Sequence, residues 1–323
     1  MEAANEFPET LQSAMEYFAD ESNAFAFMRQ VRWPDGVAAC PRCQSSEVSF
    51  ISTRKVWECK YCKVGKQFSI KVGTIFEDSP IRLGKWWCAI WLISNAKNGI
   101  SSCEIGRALG VTQKTAWFML QRIRLALQSG SIMKLRGTIE ADETFVGGKA
   151  VNMHKRERAE KIKGRGASGK AVVMGVLSRA TRKNASKVHA MVVKNTDRES
   201  LLAEIEKRVA KGSAIYTDAH HAYGGLDEAI YTHEAVDHAI EYVRGKVHTN
   251  GLENFWCLLK RALKGTYVSV NAEHLFRYLD EQSFRFNERK LNDAGRFLKA
   301  VAGIIGRRLT YLALTSNGQC LQT

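Results

Sequence analysis

No apolar run in this 323-residue chain reaches the about 20 residues a membrane-spanning helix needs; the run around Trp86–Ile93 is far too short. The first residues, Met1-Glu-Ala-Ala-Asn-Glu6, are acidic and lack a basic segment followed by an apolar core, so no secretory signal is expected. A framework of paired disulfides is absent too. Of eight cysteines, four stand in two CxxC pairs, while Cys88, Cys103, Cys257 and Cys320 are scattered singly. That usage fits a metal site and core positions in a reducing compartment. Internal repeats and long low-complexity segments are missing as well. The expected location is cytoplasmic, in association with the nucleoid. Acidic residues are also in short supply, 33 against 48 Lys and Arg, for a formal charge of +15. A surplus of this size favours a polyanionic partner. Residues 1–80 hold 9 basic and 11 acidic side chains, so the excess lies downstream.

Hydrophobic residues make up 45% of the chain, enough for sizeable cores. Five stretches are expected. Residues 1–36 form a helical segment, with one or two amphipathic helices over 8–31. Residues 37–78 hold the cysteine pairs among short strand-like runs. Residues 80–130 are helical: Leu83, Trp86, Trp87, Ile90 and Trp91 recur at helical spacing, and Asn98-Gly99 ends that helix. From 136 to 290 the pattern changes. Strands are expected near 138–147, 170–178, 186–194, 214–218 and 229–234, with helices near 197–211, 249–264 and 272–287. A loop between the first two strands, Lys149 to Lys170, carries eight Lys and Arg. Residues 291–323 read as a C-terminal tail.

Cys40-Pro-Arg-Cys43 and Cys59-Lys-Tyr-Cys62 are separated by fifteen residues. Each CxxC turn offers two thiolates to one ion, and the intervening hairpin supplies the span. Cys40, Cys43, Cys59 and Cys62 are therefore expected to hold one structural Zn2+. Four thiolates leave no open coordination position, so this ion has no catalytic part. Arg42, Arg54, Lys55, Lys60 and Lys63 decorate the same segment. They suit contact with phosphates and an ordinary solvated surface equally well.

Ser101–Arg124 has the proportions of a helix-turn-helix. Ser101 and Glu104 fit a capping box, Leu109-Gly110-Val111 makes the break, and Thr112 caps a second helix running to about Gln128. That helix is expected to offer Gln113, Lys114, Gln121 and Arg122 to DNA. Such helix pairs also occur as plain packing units.

Three carboxylates then stand in three settings. Asp142 lies in the apolar run Thr138-Ile-Glu-Ala-Asp-Glu-Thr-Phe-Val146, Asp218 ends Ala214-Ile-Tyr-Thr-Asp218, and Glu253 sits on a helix-like stretch after His248-Thr-Asn250. Taken singly, each suits a turn, a cap or a solvated helix face. In combination, strand, strand and helix is how a ribonuclease-H-like fold gathers ligands for two divalent ions. Carboxylates suit hard Mg2+ or Mn2+, and such a site makes and breaks phosphodiesters. Strand alternation puts Glu140 on the face of Asp142 and Glu143 on the opposite face, so alternation alone does not choose the first acid. Lys260 follows Glu253 by seven residues, two helical turns, and shares its face. It is placed to hold a DNA phosphate. His248 and Asn250, at the start of the helix, suit either DNA contact or capping.

Asp142-Glu143 with Gly147-Gly-Lys149, Thr217-Asp-Ala-His-His-Ala-Tyr223, and His248-Thr-Asn250 with Glu253, Phe255-Trp256 and Lys260 resemble the DDE transposases of bacterial insertion sequences. The branch in question carries an N-terminal zinc ribbon and an acidic triad followed by lysine. Arg32-Trp-Pro-Asp-Gly36, the first cysteine pair, Phe68-Ser69 and Gly73-Thr-Ile-Phe76 extend the likeness upstream, over roughly residues 15–290. The resemblance implies an α/β, ribonuclease-H-like catalytic domain, a mixed sheet flanked by helices, behind the zinc ribbon and helix-turn-helix. It implies two Mg2+ or Mn2+ ions and selects Asp142 over Glu140 and Glu143, with Asp218, Glu253 and Lys260 completing the catalytic set. Its partners would be double-stranded DNA, both element ends and target, and a second copy of the chain in a dimer or higher oligomer on DNA. Two other readings use the same residues: a DNA-binding regulator on an inert scaffold, and a ribonuclease-H-like nuclease without strand transfer. A complete acidic triad argues against an inert scaffold.

Overall fold

A computed structural model describes residues 7–128, 134–147, 169–218, 221–226, 229–236 and 246–316. The chain divides into two compact units, residues 1–128 with 291–323, and residues 129–290.

The first unit opens with helices α1 (Leu11–Ala19) and α2 (Glu21–Arg32). Thr10 and Asp20 cap them by accepting from the backbone N–H groups of Ser13 and Ser22. A three-stranded antiparallel sheet follows, β1 (Val48–Ile51), β2 (Val56–Cys59) and β3 (Gln67–Ser69), with β2 in the centre. Trp57 of β2 is buried and touches Phe25 of α2, Trp33, Phe50 and Phe68. These rings fasten the small sheet to α2.

Helix α3 (Leu83–Asn95) is the apolar centre of this unit, with Trp86, Trp87, Ile90 and Trp91 all buried. The Trp87 indole donates to the Ala24 carbonyl at 3.1 Å, so the one polar atom of that ring is satisfied inside the core. Helices α4 (Ser102–Leu109) and α5 (Gln113–Leu127) follow. The capping box at Ser101 and Glu104 is present, and Thr112 caps α5. Gly110 closes α4 in the left-handed region (φ 59°), a conformation that favours glycine.

Residues 291–316, expected as a tail, instead belong to this unit. Phe297 of helix α9 (Asp293–Val301; α6 to α8 lie in the second unit) is fully buried against Phe18, Phe27 and Trp91. The chain then pairs back onto the ribbon side, where Ile75 N–H donates to the Ile304 carbonyl at 3.0 Å. Helix α10 (Tyr311–Thr315) ends the described chain.

The second unit is built on five strands: β4 (Thr138–Val146), β5 (Ala171–Ser178), β6 (Lys187–Val193), β7 (Ala214–Asp218) and β8 (Thr232–Val236). Their order is β6-β5-β4-β7-β8. β4–β5 and β5–β6 are antiparallel, and β4–β7 and β7–β8 are parallel. This mixed sheet has the ribonuclease-H-like arrangement. Helix α6 (Arg198–Arg208) packs Leu201 and Ile205 on one face, against Ile139, Ala141, Met174 and Val176. Helices α7 (Asn250–Ala262) and α8 (Leu275–Asn287) cover the other, where Leu252, Phe255, Trp256 and Leu279 meet Val173 and Leu177. Residues of β4 and β5 alternate between the two cores, as the pleat requires. A π-helical turn, Leu263–Tyr267, extends α7. The basic loop expected between β4 and β5 lies outside the described residues over 148–168.

Candidate active site

The four cysteine sulfurs lie within 4.8 Å of one another. Cys40 and Cys62 sulfurs are 3.7 Å apart, and those of Cys43 and Cys59 are 3.5 Å apart. Amide donors of Cys62 and Tyr61 lower the Cys59 thiol to about 7, against the opposing effect of burial. A side-chain hydrogen bond with Cys43 and desolvation push Cys62 up to about 12. Four converging thiolates repel each other unless a positive ion sits between them. The donor set is that of one structural Zn2+.

The acidic site lies in the second unit and grows from β4. Asp142 is opposite Gly175 on β5. A side chain at 175 would begin 2.7 Å from the Trp256 ring and 2.8 Å from Leu252, so the glycine makes room for α7 on the sheet. Through that space the Trp256 indole donates to Asp142 Oδ2 at 2.8 Å, and the Glu143 amide donates to Oδ1 at 2.8 Å. Burial raises Asp142 to about 6. The charges of Asp218, at the end of β7, and Glu253, on α7, add to the rise, while the indole and amide oppose it. The two other acids are therefore close enough to act on Asp142.

Asp142 is half-buried, whereas Glu253 and Lys260 on α7 are exposed. Among the described residues the cysteines alone form a metal-ligand group of three or more within 4.8 Å, so the carboxylates are spread more widely.

The two competing acids have other partners. Glu140 is almost fully buried at 1% exposure and accepts from Arg179 Nε at 2.7 Å and from the Leu252 amide at 3.0 Å. Glu143 points to the α6 side, where the buried Tyr223 hydroxyl donates to it. Burial raises it to about 8, with the charges of Asp142 and Asp218 adding to the effect. The His248 ring sits on Arg179, with Nδ1 2.8 Å from Nη2, and Asn250 is exposed at the start of α7. Trp256, Arg179 and Tyr223 join the site through long-range contacts. Trp256 had a sequence signal, its place near the Glu253 face of the helix; Arg179, just beyond the end of β5, had none.

These two raised carboxyls predict a pH dependence. Each folded-state pKa lies above its ordinary value, so folding favours the protonated form. That contribution is full at low pH and is lost as pH rises from 3.8 to about 6 for Asp142, and from 4.5 to about 8 for Glu143. Protein without added divalent ions should melt several degrees lower at pH 8 than at pH 6. Mn2+ bound at Asp142 should stabilise the protein more at pH 8, where that carboxyl is ionised, than at pH 6, where it is about half protonated. Thermal melts at both pH values, with and without Mn2+, check this; a Mn2+ effect equal at the two would contradict it.

In the first unit α5 of the helix-turn-helix is exposed at its first turn, through Gln113 and Lys114. Gln113 is exposed and donates to Ser102 Oγ at 2.8 Å. Lys114 is exposed, its ammonium 5.0 Å from the Tyr311 ring centre. Arg122, expected to face DNA, is instead buried at 5% exposure. It donates to the Leu309 carbonyl at 3.0 Å, Ile75 at 3.1 Å and Glu77 at 2.9 Å. Gln121 is fully buried. The returning C-terminal segment lies over the part of α5 on which Arg122 stands.

Comparison with known proteins agrees with this geometry. The ISXO2-like transposase domain matches residues 134–287, and the transposase zinc-ribbon domain matches residues 19–64. A Halobacterium salinarum protein, described as an uncharacterized protein in transposable element ISH50, is 30% identical over 271 residues, 81% of this chain and 89% of that protein. Among the described residues no helix is long and apolar enough to cross a membrane. With a four-cysteine ribbon ahead of a mixed-sheet domain of this type, the chain belongs to the ISXO2-like transposase family.

Proposed function

We propose that the protein binds the ends of an insertion sequence and carries out metal-dependent phosphodiester hydrolysis followed by strand transfer into target DNA. Asp142, Asp218 and Glu253 are the residues that would hold two Mg2+ or Mn2+ ions. Their supply of hard oxygen donors fits such ions, and the raised pKa of the half-buried Asp142 is what a cation would relieve. When bound, the ions supply an activated attacking oxygen and stabilise the leaving oxygen.

The protein's own groups do the rest. Trp256 holds Asp142 in one orientation through Oδ2. Lys260, exposed two turns beyond Glu253 on α7, binds a phosphate of the DNA strand beside the acids. In the first step a water oxygen joins phosphorus, the element's 3′ oxygen leaves as a hydroxyl, and the flanking strand keeps the phosphate. In the second that 3′-hydroxyl attacks a target phosphate; one phosphodiester forms as one breaks, so no outside energy source is needed. Synapsis of two ends requires at least two copies of the chain on DNA.

The observation that carries this reading is that β4 and β7 run side by side in parallel, with Glu140 opposite Tyr216 two residues before Asp142 and Asp218, while Trp256, three residues after Glu253 on α7, donates to Asp142 Oδ2. Labelled element ends incubated with protein, Mg2+ and a target plasmid test it. Joined products are expected. Cuts without joining would indicate a nuclease, and binding alone a regulator.

End recognition is assigned to the exposed first turn of α5, where recognition helices commonly meet base edges. Replacing Gln113 and Lys114 together by Ala should weaken binding to the element end by about 1–3 kcal/mol, a factor of roughly 5 to 150. Titration of labelled end DNA by gel shift checks this; unchanged affinity would remove the assignment.

A further inference from the structure

Helix α7, which carries Glu253 and Lys260, begins without a side-chain cap of its own: Thr249 makes no capping bond. A residue of the sheet supplies one. Glu140 Oε2 accepts from the Leu252 amide at 3.0 Å, a carboxylate at the positive end of the helix. Its other oxygen accepts from Arg179 Nε at 2.7 Å. Arg179 reaches on to the loop before the helix, donating to the Lys246 carbonyl at 2.7 Å and the His248 carbonyl at 2.6 Å. Its Nη2 also meets His248 Nδ1 at 2.8 Å, which places the imidazole proton on Nε2 when the arginine donates. The guanidinium carbon stands 4.8 Å from the centre of the Tyr216 ring.

Gly251 completes the fit. A side chain there would begin 2.7 Å from Glu140 Oε2 and 3.1 Å from Leu177. The glycine thus lets the helix end settle onto the carboxylate. Glu140 is two residues from Asp142 on the same face of β4, and Leu252 immediately precedes Glu253. One ion pair therefore ties the segment bearing the third acid to the strand bearing the first.

We propose that Glu140 and Arg179 form a buried clamp that positions Glu253, and through the rigid helix Lys260, against Asp142. They are positioning residues and hold no metal themselves. The inference rests on the metal-holding role given above to Asp142, Asp218 and Glu253. A buried ion pair adds little net stability but is directional, so it serves register better than an apolar contact would. It also gives His248 a structural task in the loop before α7, where its position in the sequence suited either DNA contact or capping.

The test uses the full chain with Glu140→Gln and Arg179→Lys. The glutamine keeps an oxygen for the Leu252 amide but drops the charge that holds Arg179. The lysine keeps the charge but cannot span Glu140, Lys246 and His248 at once. Cleavage of labelled element ends is followed against Mg2+ and Mn2+ concentration, beside melting temperature and end binding. Both variants should bind ends as the wild type does and cleave about 10- to 100-fold more slowly, with the half-saturating metal concentration raised and Mn2+ restoring part of the rate. Gly251→Ala disturbs the same contact from the helix side and should shift metal dependence in the same direction, which keeps the test decisive if one clamp variant does not fold. Unaltered rate and metal dependence in folded variants would overturn the clamp. So would a loss of rate that only tracks the loss of folded protein, with metal dependence unmoved. Failure of the underlying triad would look different: Asp142→Asn would cleave as well as the wild type.

Discussion

Asp142→Asn should abolish cleavage and joining while leaving the fold, the zinc content and end binding intact. The asparagine oxygen can still accept from the Trp256 indole, which sits 2.8 Å from Asp142 Oδ2, so packing at the centre of the site is preserved. What disappears is the charge. If the acid holds a metal that stabilises the transition state by several kcal/mol, the rate falls by about a thousandfold or more. The same change removes a carboxylate that burial and two neighbouring acids raise to about 6. In the absence of divalent ions the variant should therefore melt no lower than the wild type at pH 8, even though it is inactive. Single-turnover cleavage of labelled ends, with thermal melts beside it, reads both halves. Strand transfer at the wild-type rate would remove Asp142 from the chemistry.

Loss of the zinc should have the second large effect. Structural zinc sites of this kind contribute on the order of 10 kcal/mol to the fold they hold. Cys59→Ser removes one thiolate from a set whose sulfurs lie within 4.8 Å of one another. Strands β1 to β3 are short, and their core is little more than Trp57 and Phe68 against Phe25 and Trp33. Without the ion this sheet should open. Zinc per chain measured by a colorimetric chelator should fall below stoichiometry, Trp57 fluorescence should shift toward that of a solvated indole, and the five-stranded unit should keep its secondary structure. A folded ribbon in zinc-free protein would contradict the assignment.

Much of this architecture is legible in the sequence because it is written in local signals. Ser101 and Glu104 announce the start of α4, and Gly110 its end. The cysteine spacing announces the ribbon, and the apolar periodicities mark α3 and the five strands. What local pattern does not carry is the identity of a residue's distant neighbour. Glu140 and Asp142 share a strand face, and only Arg179 and the Leu252 amide, far along the chain, separate a clamping carboxylate from one exposed to its fellow acids. Arg122 stands on the second helix of a helix-turn-helix pattern, which suggested an exposed arginine reading DNA. The Leu309 carbonyl that buries it lies 187 residues later. The same blind spot made residues 291–316 read as a tail, since Phe297 declares itself a core residue only when Phe18, Phe27 and Trp91 surround it.

Anomalous diffraction from crystals of the protein grown with Mn2+ tests whether three acids from two strands and a helix hold metal. Two Mn2+ peaks roughly 4 Å apart are expected, ligated by Asp142, Asp218 and Glu253, with Glu140 still on Arg179 and the Leu252 amide. Well-ordered crystals that show no Mn2+ peak at these acids, or ions held by Glu140 or Glu143 in place of Asp142, would contradict it.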